Sequence, residues 1–360
     1  MHNLIRVMHS RQVQRRFKDL VGMMNFPFGK VPPEILEAVV FRNLGAKDKD
    51  VILGPTRGED AAILKVGDRL IATSCDPVSG AVDRAGLLAV NVSANDVATR
   101  GVKPRWLLVC ILLPKNFKRA SLLKICQQIN DAAAKLGVAV VGGHCETSPG
   151  LDHPIIVSCC VGVAEGRKYF STAGSKPGSK IVLTKGVGIE GTGILATDRR
   201  EMVARAFGAA FVKKSAKYLE ETSVVAEALI ASGIEGVYAM HDPTEGGVQG
   251  GLCEMADAAG CGFTVHEGKL VVSPETKALA RLFRMDPLQL ISSGSLLISA
   301  STAAAKKLLE VFSANRIHAS VVGEMVADRN HRVLIKSDGS TRRLAMPKAD
   351  ALWKALKASE

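Results

Sequence analysis

Aromatic residues are scarce, at 4% of 360 residues. Single-stranded nucleic acid stacks on exposed rings, so the shortage argues against that role. It also means that any core must be aliphatic. No run of about 18 apolar residues occurs, so no segment suits a membrane-spanning helix. The cysteines, Cys75, Cys110, Cys126, Cys145, Cys159, Cys160, Cys253 and Cys261, include no C-x-x-C and no Cys/His spacing suited to zinc. Several lie within apolar runs, as Cys110 does in Trp106–Leu113, where a buried free thiol is the default. That usage suits a reducing cytoplasm. No serine-nucleophile elbow is present, because Ser292-Ser293-Gly294-Ser295-Leu296 lacks the glycines that flank the serine in G-x-S-x-G. A P-loop is missing too: Gly174-Ser-Lys-Pro-Gly178-Ser-Lys180 lacks the spacing and precedes a strand.

Apolar residues make up 47%, enough for packed cores, and the length suits two domains. The net charge of +12 is concentrated at the ends, with +5 in residues 1–30 and +4 in residues 325–360. Basic termini of this kind read as solvated tails rather than as a nucleic-acid face. The N-terminus is Arg-rich but lacks the apolar stretch of a secretory signal.

Hydrophobic periodicity gives the element order. Pro33 and Glu34 open a helix reaching about Arg42. Strands follow at Ala61–Val66 and Leu70–Cys75. Residues 84–100 read as a helix whose small residues Ala85, Ala89 and Ser93 allow close packing. Trp106–Leu113 reads as a buried strand, and Arg119–Leu136 as an amphipathic helix stopped by Gly137. Val138–Val141 and Pro154–Val163 complete the first half. Gly174–Ser179 marks the domain boundary. The second half reads as strands near Lys180–Thr184, Val237–Met240, Phe263–His266, Leu296–Ala300, Ala319–Val322 and Arg332–Ile335. Helices are expected from Thr192, over 210–232, after Gly247, and over 303–313. The class is α+β with an α/β make-up. The expected organisation is a basic extension at 1–27, domains at 28–172 and 173–345, and a basic tail at 346–360.

The polar groups cluster at predicted strand ends. Gly58-Glu59-Asp60-Ala61-Ala62, Asp76 and Asn95-Asp96 put three carboxylates at the rim of one α/β half. Hard divalent cations that carry nucleotide phosphates favour such oxygen ligands with positions left open. Gly142-Gly143-His144 follows a strand and offers a phosphate-approaching turn. Gly186-Val-Gly188-Ile-Glu-Gly191 matches G-x-G-x-x-G before a helix, but no second strand ending in an acid follows, as a dinucleotide site requires. His241-Asp242-Pro243-Thr244-Glu245-Gly246-Gly247 packs four polar groups between a strand and a helix.

In this order, the segments resemble the AIR synthase superfamily, which includes PurM, ThiL, SelD and HypE, over residues 28–345. Asp242-Pro-Thr-Glu-Gly-Gly247 is most similar to the HypE branch. The resemblance implies a PurM-like fold: an N-terminal domain whose strands build a dimer-interface β-barrel, and a C-terminal α+β domain. It implies a homodimer that binds ATP and Mg2+, with Asp60, Asp76 and Asp96 as metal ligands. Gly58, Asp60, Asn95, Gly142, Gly143, His144, Gly188, Gly191 and Thr192 would contact the nucleotide. His241, Asp242, Thr244 and Glu245 would face the acceptor, a small molecule or a modified protein group whose oxygen is activated. The chain departs from HypE in three places: no cysteine follows Cys261, Glu245 replaces an arginine, and Cys145 replaces a threonine after the glycine pair. HypE's reaction on its own tail would then require a thiol from a partner. A nucleotide-binding regulator without turnover is the other reading.

Overall fold

The computed structural model describes Phe26 and residues 28–357. The basic extension expected over residues 1–27, Phe26 apart, and the end of the tail at 358–360 lie outside the described residues. The chain divides into two compact units, one ending at Lys47 and the other starting at Asp48. In the first, helix α1 (Pro33–Ala38) has a proline at its start and Glu34 in its first turn, as expected. It ends sooner than the sequence predicts, and Val40–Arg42 is a separate 3₁₀ turn.

The second unit holds two sheets. Strands β1 (Val51–Leu53), β2 (Ala62–Val66), β3 (Arg69–Val78), β4 (Pro104–Leu113), β5 (Ala139–Thr147) and β6 (Ile155–Val163) form the first, in the order β1-β2-β3-β6-β4-β5. Its pairs are antiparallel except β4–β5. The sheet is open, with β1 and β5 at its edges. Helices α2 (Ala85–Thr99) and α3 (Arg119–Leu136) connect β3 to β4 and β4 to β5. Small residues let these layers approach. Ser93 Oγ of α2 lies 3.0 Å from Ser158 Oγ of β6, and a Cβ on Gly86 would come within 2.5 Å of the Ile125 carbonyl of α3. Gly137 ends α3 in the left-handed conformation at φ 67°.

Strands β7 (Lys180–Thr184), β8 (Val237–His241), β9 (Gly262–His266), β10 (Leu297–Ala300), β11 (Ala319–Val326), β12 (Arg332–Ile335) and β13 (Thr341–Arg343) form the second sheet, ordered β13-β12-β9-β11-β7-β10-β8. Its helices are α4 (Ile189–Asp198), α5 (Arg200–Phe207), α6 (Ala209–Ala216), α7 (Val225–Ser232), α8 (Gly247–Ala259), α9 (Pro274–Leu282), α10 (Thr302–Ala314) and α11 (Ala351–Lys357). One largely aliphatic core runs from Leu88, Val90 and Leu107 of the first half to Ile194, Leu219 and Phe312 of the second.

Three local expectations differ from the structure. The single helix expected over 210–232 is broken: α6 ends at Ala216, Lys217–Glu221 is a 3₁₀ turn, and residues 222–224 form a loop before α7. The glycine pair after Val141 is not a turn, since β5 continues through it to Thr147. The segment read as a basic tail carries α11, whose Leu352 and Ala355 are buried.

Candidate functional site

Three segments bring carboxylates together. Asp60 follows a turn at Gly58 (φ 79°), where a Cβ would come within 3.0 Å of the Glu254 carbonyl, so glycine lets this loop lie against α8. Asp96 is on the last turn of α2, and Asp242 directly follows β8. Oxygens of Asp60, Asp96 and Asp242 all lie within 4.8 Å of one another. Asp96 and Asp242 are buried, and Asp60 is half-buried.

Asp76 joins the group through a bridge. Ser74 Oγ lies 2.8 Å from Asp76 Oδ2 and 2.5 Å from Asp96 Oδ2. A hydroxyl carries one proton, so it donates to one carboxylate at a time. The other oxygen then needs a proton of its own or a cation. Burial, with the negative charges of Asp76, Asp242 and Asp60, holds the Asp96 carboxyl well above the usual range. An all-oxygen set with unbalanced negative charge fits a hard divalent cation such as Mg2+. The sequence reading gave Asp60, Asp76 and Asp96 as the metal set. The structure puts Asp242 with Asp60 and Asp96, and sets Asp76 against Asp96, with Ser74 bonded to both.

His241, the last residue of β8, is 1% exposed. Its Nδ1 lies 2.8 Å from Asp60 Oδ2 and its Nε2 lies 2.9 Å from Glu254 Oε2 on α8. Burial alone would lower its pKa, but the Asp60 and Glu254 carboxylates outweigh this and push it up to about 10. Both ring nitrogens of His241 thus lie against carboxylates, a setting that favours the protonated ring. The ring orients Asp60 rather than facing a substrate.

A buried ion pair supports the site. Glu59, next to Asp60, bonds the guanidinium of Arg100, the residue that ends α2. Arg100 also donates to Thr172 Oγ1 (3.1 Å) and the Met240 carbonyl (3.4 Å). Glu59 accepts from the Ser171 hydroxyl and from the amides of Thr172 and Ala173, both at 3.2 Å. One pair thus ties the Asp60 loop, the Asp96 helix and the Asp242 strand. Sequence reasoning missed Glu59, Arg100, Ser74 and Glu254. The available signal was Arg100, a cation ending a helix in which Asp96 is the only other charged residue.

Other expected site residues lie elsewhere or are engaged. The Asn95 amide donates to the Thr222 carbonyl (2.9 Å) and accepts from the Val224 amide (2.8 Å), which fixes the loop that breaks the expected 210–232 helix. Gly188 gives its N–H to Ser292 Oγ (2.8 Å) and Gly191 gives its own to the Ile291 carbonyl (3.0 Å). Those two donors, expected to hold phosphate, are already used. Their glycines serve packing instead, since a Cβ on Gly191 would lie 2.4 Å from Leu290. Thr192 Oγ1 is buried, 2.6 Å from the Gly188 carbonyl and 2.7 Å from Thr276 Oγ1. Gly142, Gly143 and His144 are exposed on β5. Register places Asp76, Ser158, Val109 and Gly143 in one row across β3, β6, β4 and β5. Three strand spacings separate Gly143 from Asp76, or about 14 Å. Thr244 and Glu245 are half-buried on the loop after Asp242.

Residues 58–164 match the family described as AIR synthase related protein, N-terminal domain, and residues 176–336 match its C-terminal domain. A putative hydrogenase expression/formation protein of Methanocaldococcus jannaschii is 27% identical over 90% of this chain and 96% of its own length. The carbamoyl dehydratase HypE of Cupriavidus necator is 30% identical, covering 70% of each chain. A solved hydrogenase maturation protein HypE in complex with ATP superposes with a TM-score of 0.64 at 21% identity, covering 89% of this chain and 96% of that one, a likeness of fold.

Proposed function

We propose that this chain, which belongs to the AIR synthase related protein family, is an ATP-dependent enzyme of the HypE-like branch. It activates an oxygen of a small molecule or of a modified protein group by phosphoryl transfer. The observation that carries this reading is the convergence of Asp60, Asp96 and Asp242, with Asp76 reached through Ser74. A regulatory scaffold has no need to gather buried carboxylates that repel one another. The HypE relatives and the ATP complex support the nucleotide.

The carboxylate group would hold Mg2+, which supplies positive charge to bridge and clamp the phosphates. Asp96 and Asp242 would be its buried ligands. Asp60 is held in orientation by the His241 ring. Ser74 takes up whichever of Asp76 and Asp96 is not engaged. Thr244 and Glu245 follow Asp242 on the same loop and would meet the acceptor. Glu245, where HypE carries arginine, reverses a charge on this loop and favours a different acceptor.

The chain would act as a homodimer. Every residue of the edge strand β5 is exposed, with Val140 and Val141 at 47% and 56%. An exposed apolar edge invites pairing with a second copy.

Calorimetric titration with a non-hydrolysable ATP analogue, with and without Mg2+, tests the reading. Binding that depends on Mg2+ and is sharply weakened in Asp242→Asn supports it. Absence of nucleotide binding by the wild type overturns it.

A further inference from the structure

A cavity of about 790 Å³ opens between the end of α3, the segment that follows β7, residues 218–227 and the turn before β11. That volume is in the range of small-molecule sites. Asp60, Asp96, Asp242, Thr244 and Glu245 do not line it. Part of its lining is apolar, from Val225, Val271 and Ile317, and Val271 is exposed. Another part is fixed by hydrogen bonds from two sides. Lys185 Nζ lies 2.9 Å from the Glu221 carbonyl, 2.6 Å from the Ser223 carbonyl and 2.8 Å from Glu227 Oε1. From α2, Asn91 donates to Thr222 Oγ1 (2.8 Å) and Asn95 donates to the Thr222 carbonyl (2.9 Å). This wall is therefore formed before any ligand arrives.

The charges that line the cavity do not cancel. An ammonium has three donors, so Lys185 has none left for a ligand. Glu227 is paired with that lysine, and Glu220 lies 3.8 Å from Arg84. The Lys135 ammonium, the Arg316 guanidinium, the His318 ring and the Glu221 carboxylate remain, all exposed. Their side chains have no hydrogen bond or ion pair among the described residues. Two permanent cations thus stand against one carboxylate. The backbone gives a second, independent sign. Lys185 (φ 55°) and Arg316 (φ 60°) are left-handed, two of the four non-glycine residues in that region among the described residues. Neither has the short polar side chain that eases this conformation, and such outliers gather at ligand clamps.

We propose that this cavity is a second ligand site, which takes an organic anion: an apolar body carrying a carboxylate or phosphate. Val225, Val271 and Ile317 cover the body, and Arg316 and Lys135 pair with the head group. A cation is disfavoured by the positive surplus. A wholly apolar ligand would cover two cations without giving them a partner.

The test is calorimetric titration of the full chain, without nucleotide, with octanoate and with octyl phosphate. The same body with a neutral head (1-octanol) or a positive head (octylammonium) is the control. Saturable binding of an anion and of neither control, weakened about tenfold in Arg316→Asn or Lys135→Gln, supports the proposal. The tighter anion names the head group. Asparagine tolerates the left-handed backbone and Lys135 is exposed, so both variants should fold, which far-UV circular dichroism checks. No saturable binding, equal binding of all four probes, or anion binding unchanged in both variants overturns it. No nucleotide is present, so either outcome leaves the ATP reading untouched.

Discussion

Arg100 and Glu59 form an ion pair in which the arginine side chain is fully buried and the glutamate is 2% exposed. Breaking a buried pair leaves an uncompensated charge, at a cost of about 3–5 kcal/mol. Arg100→Met and Glu59→Gln should each lower stability by about that amount in denaturant titrations. The double variant should lose less than the sum, because the two residues share one interaction. Additive losses would show that the pair is not a unit.

His241 carries the second prediction. Groups that orient a metal ligand typically change affinity by about 10- to 100-fold when replaced. His241→Gln removes the ring between Asp60 and Glu254. Mg2+-dependent binding of the ATP analogue should weaken at least tenfold, whereas binding without Mg2+ should change little. Equal weakening under both conditions would point to a folding defect.

The two metal readings separate on Asp242 and Asp76. Asp242 belongs to the oxygen group within 4.8 Å, whereas Asp76 meets that group only at Asp96, directly and through Ser74. Asp242→Asn should abolish the Mg2+ dependence of nucleotide binding, and Asp76→Asn should reduce it less. The opposite order would return Asp76 to the first rank of ligands.

Stability should also depend on pH through two buried acids, Glu190 and Asp350. Burial is the main cause that pushes Glu190 from 4.5 up to about 7, and it pushes Asp350 from 3.8 up to about 7 as well. The folded state then binds more protons than the unfolded state between these values. Stability therefore falls as pH rises from about 4.5 to 7, by up to ~3 kcal/mol for Glu190. Thermal unfolding of Glu190→Gln should show a shallower fall over this window than the wild type. Parallel curves would refute the assignment.

On the edge strand, Gly143 and Gly142 should behave differently. A Cβ on Gly143 (φ 149°) would lie 1.8 Å from the Val109 carbonyl, whereas one on Gly142 would meet only Leu108 Cδ2 at 3.6 Å. Gly143→Ala should cost ~3 kcal/mol through overpacking of β5 on β4, and Gly142→Ala should be nearly neutral. Denaturant titration of both decides this.

The sequence by itself determined most strands, the helices α2 and α3, and the acids at Asp60, Asp96 and Asp242, because periodicity and strand-end polarity are local signals. It also carried the family, through several short segments in order. Only the tertiary structure decided which acids share a site. Asp242 is 146 positions from Asp96, and nothing local distinguishes it from Asp76 as a ligand. The same holds for the glycines. Gly188 and Gly191 read as phosphate donors, yet whether an N–H is free depends on the Ser292 loop a hundred residues away. The 210–232 helix broke for a similar reason: its apolar pattern is intact, but Asn95 captures the backbone at 222–224. Local pattern sets which conformations are available to a segment. Hydrogen bonds and burial supplied by distant segments select among them.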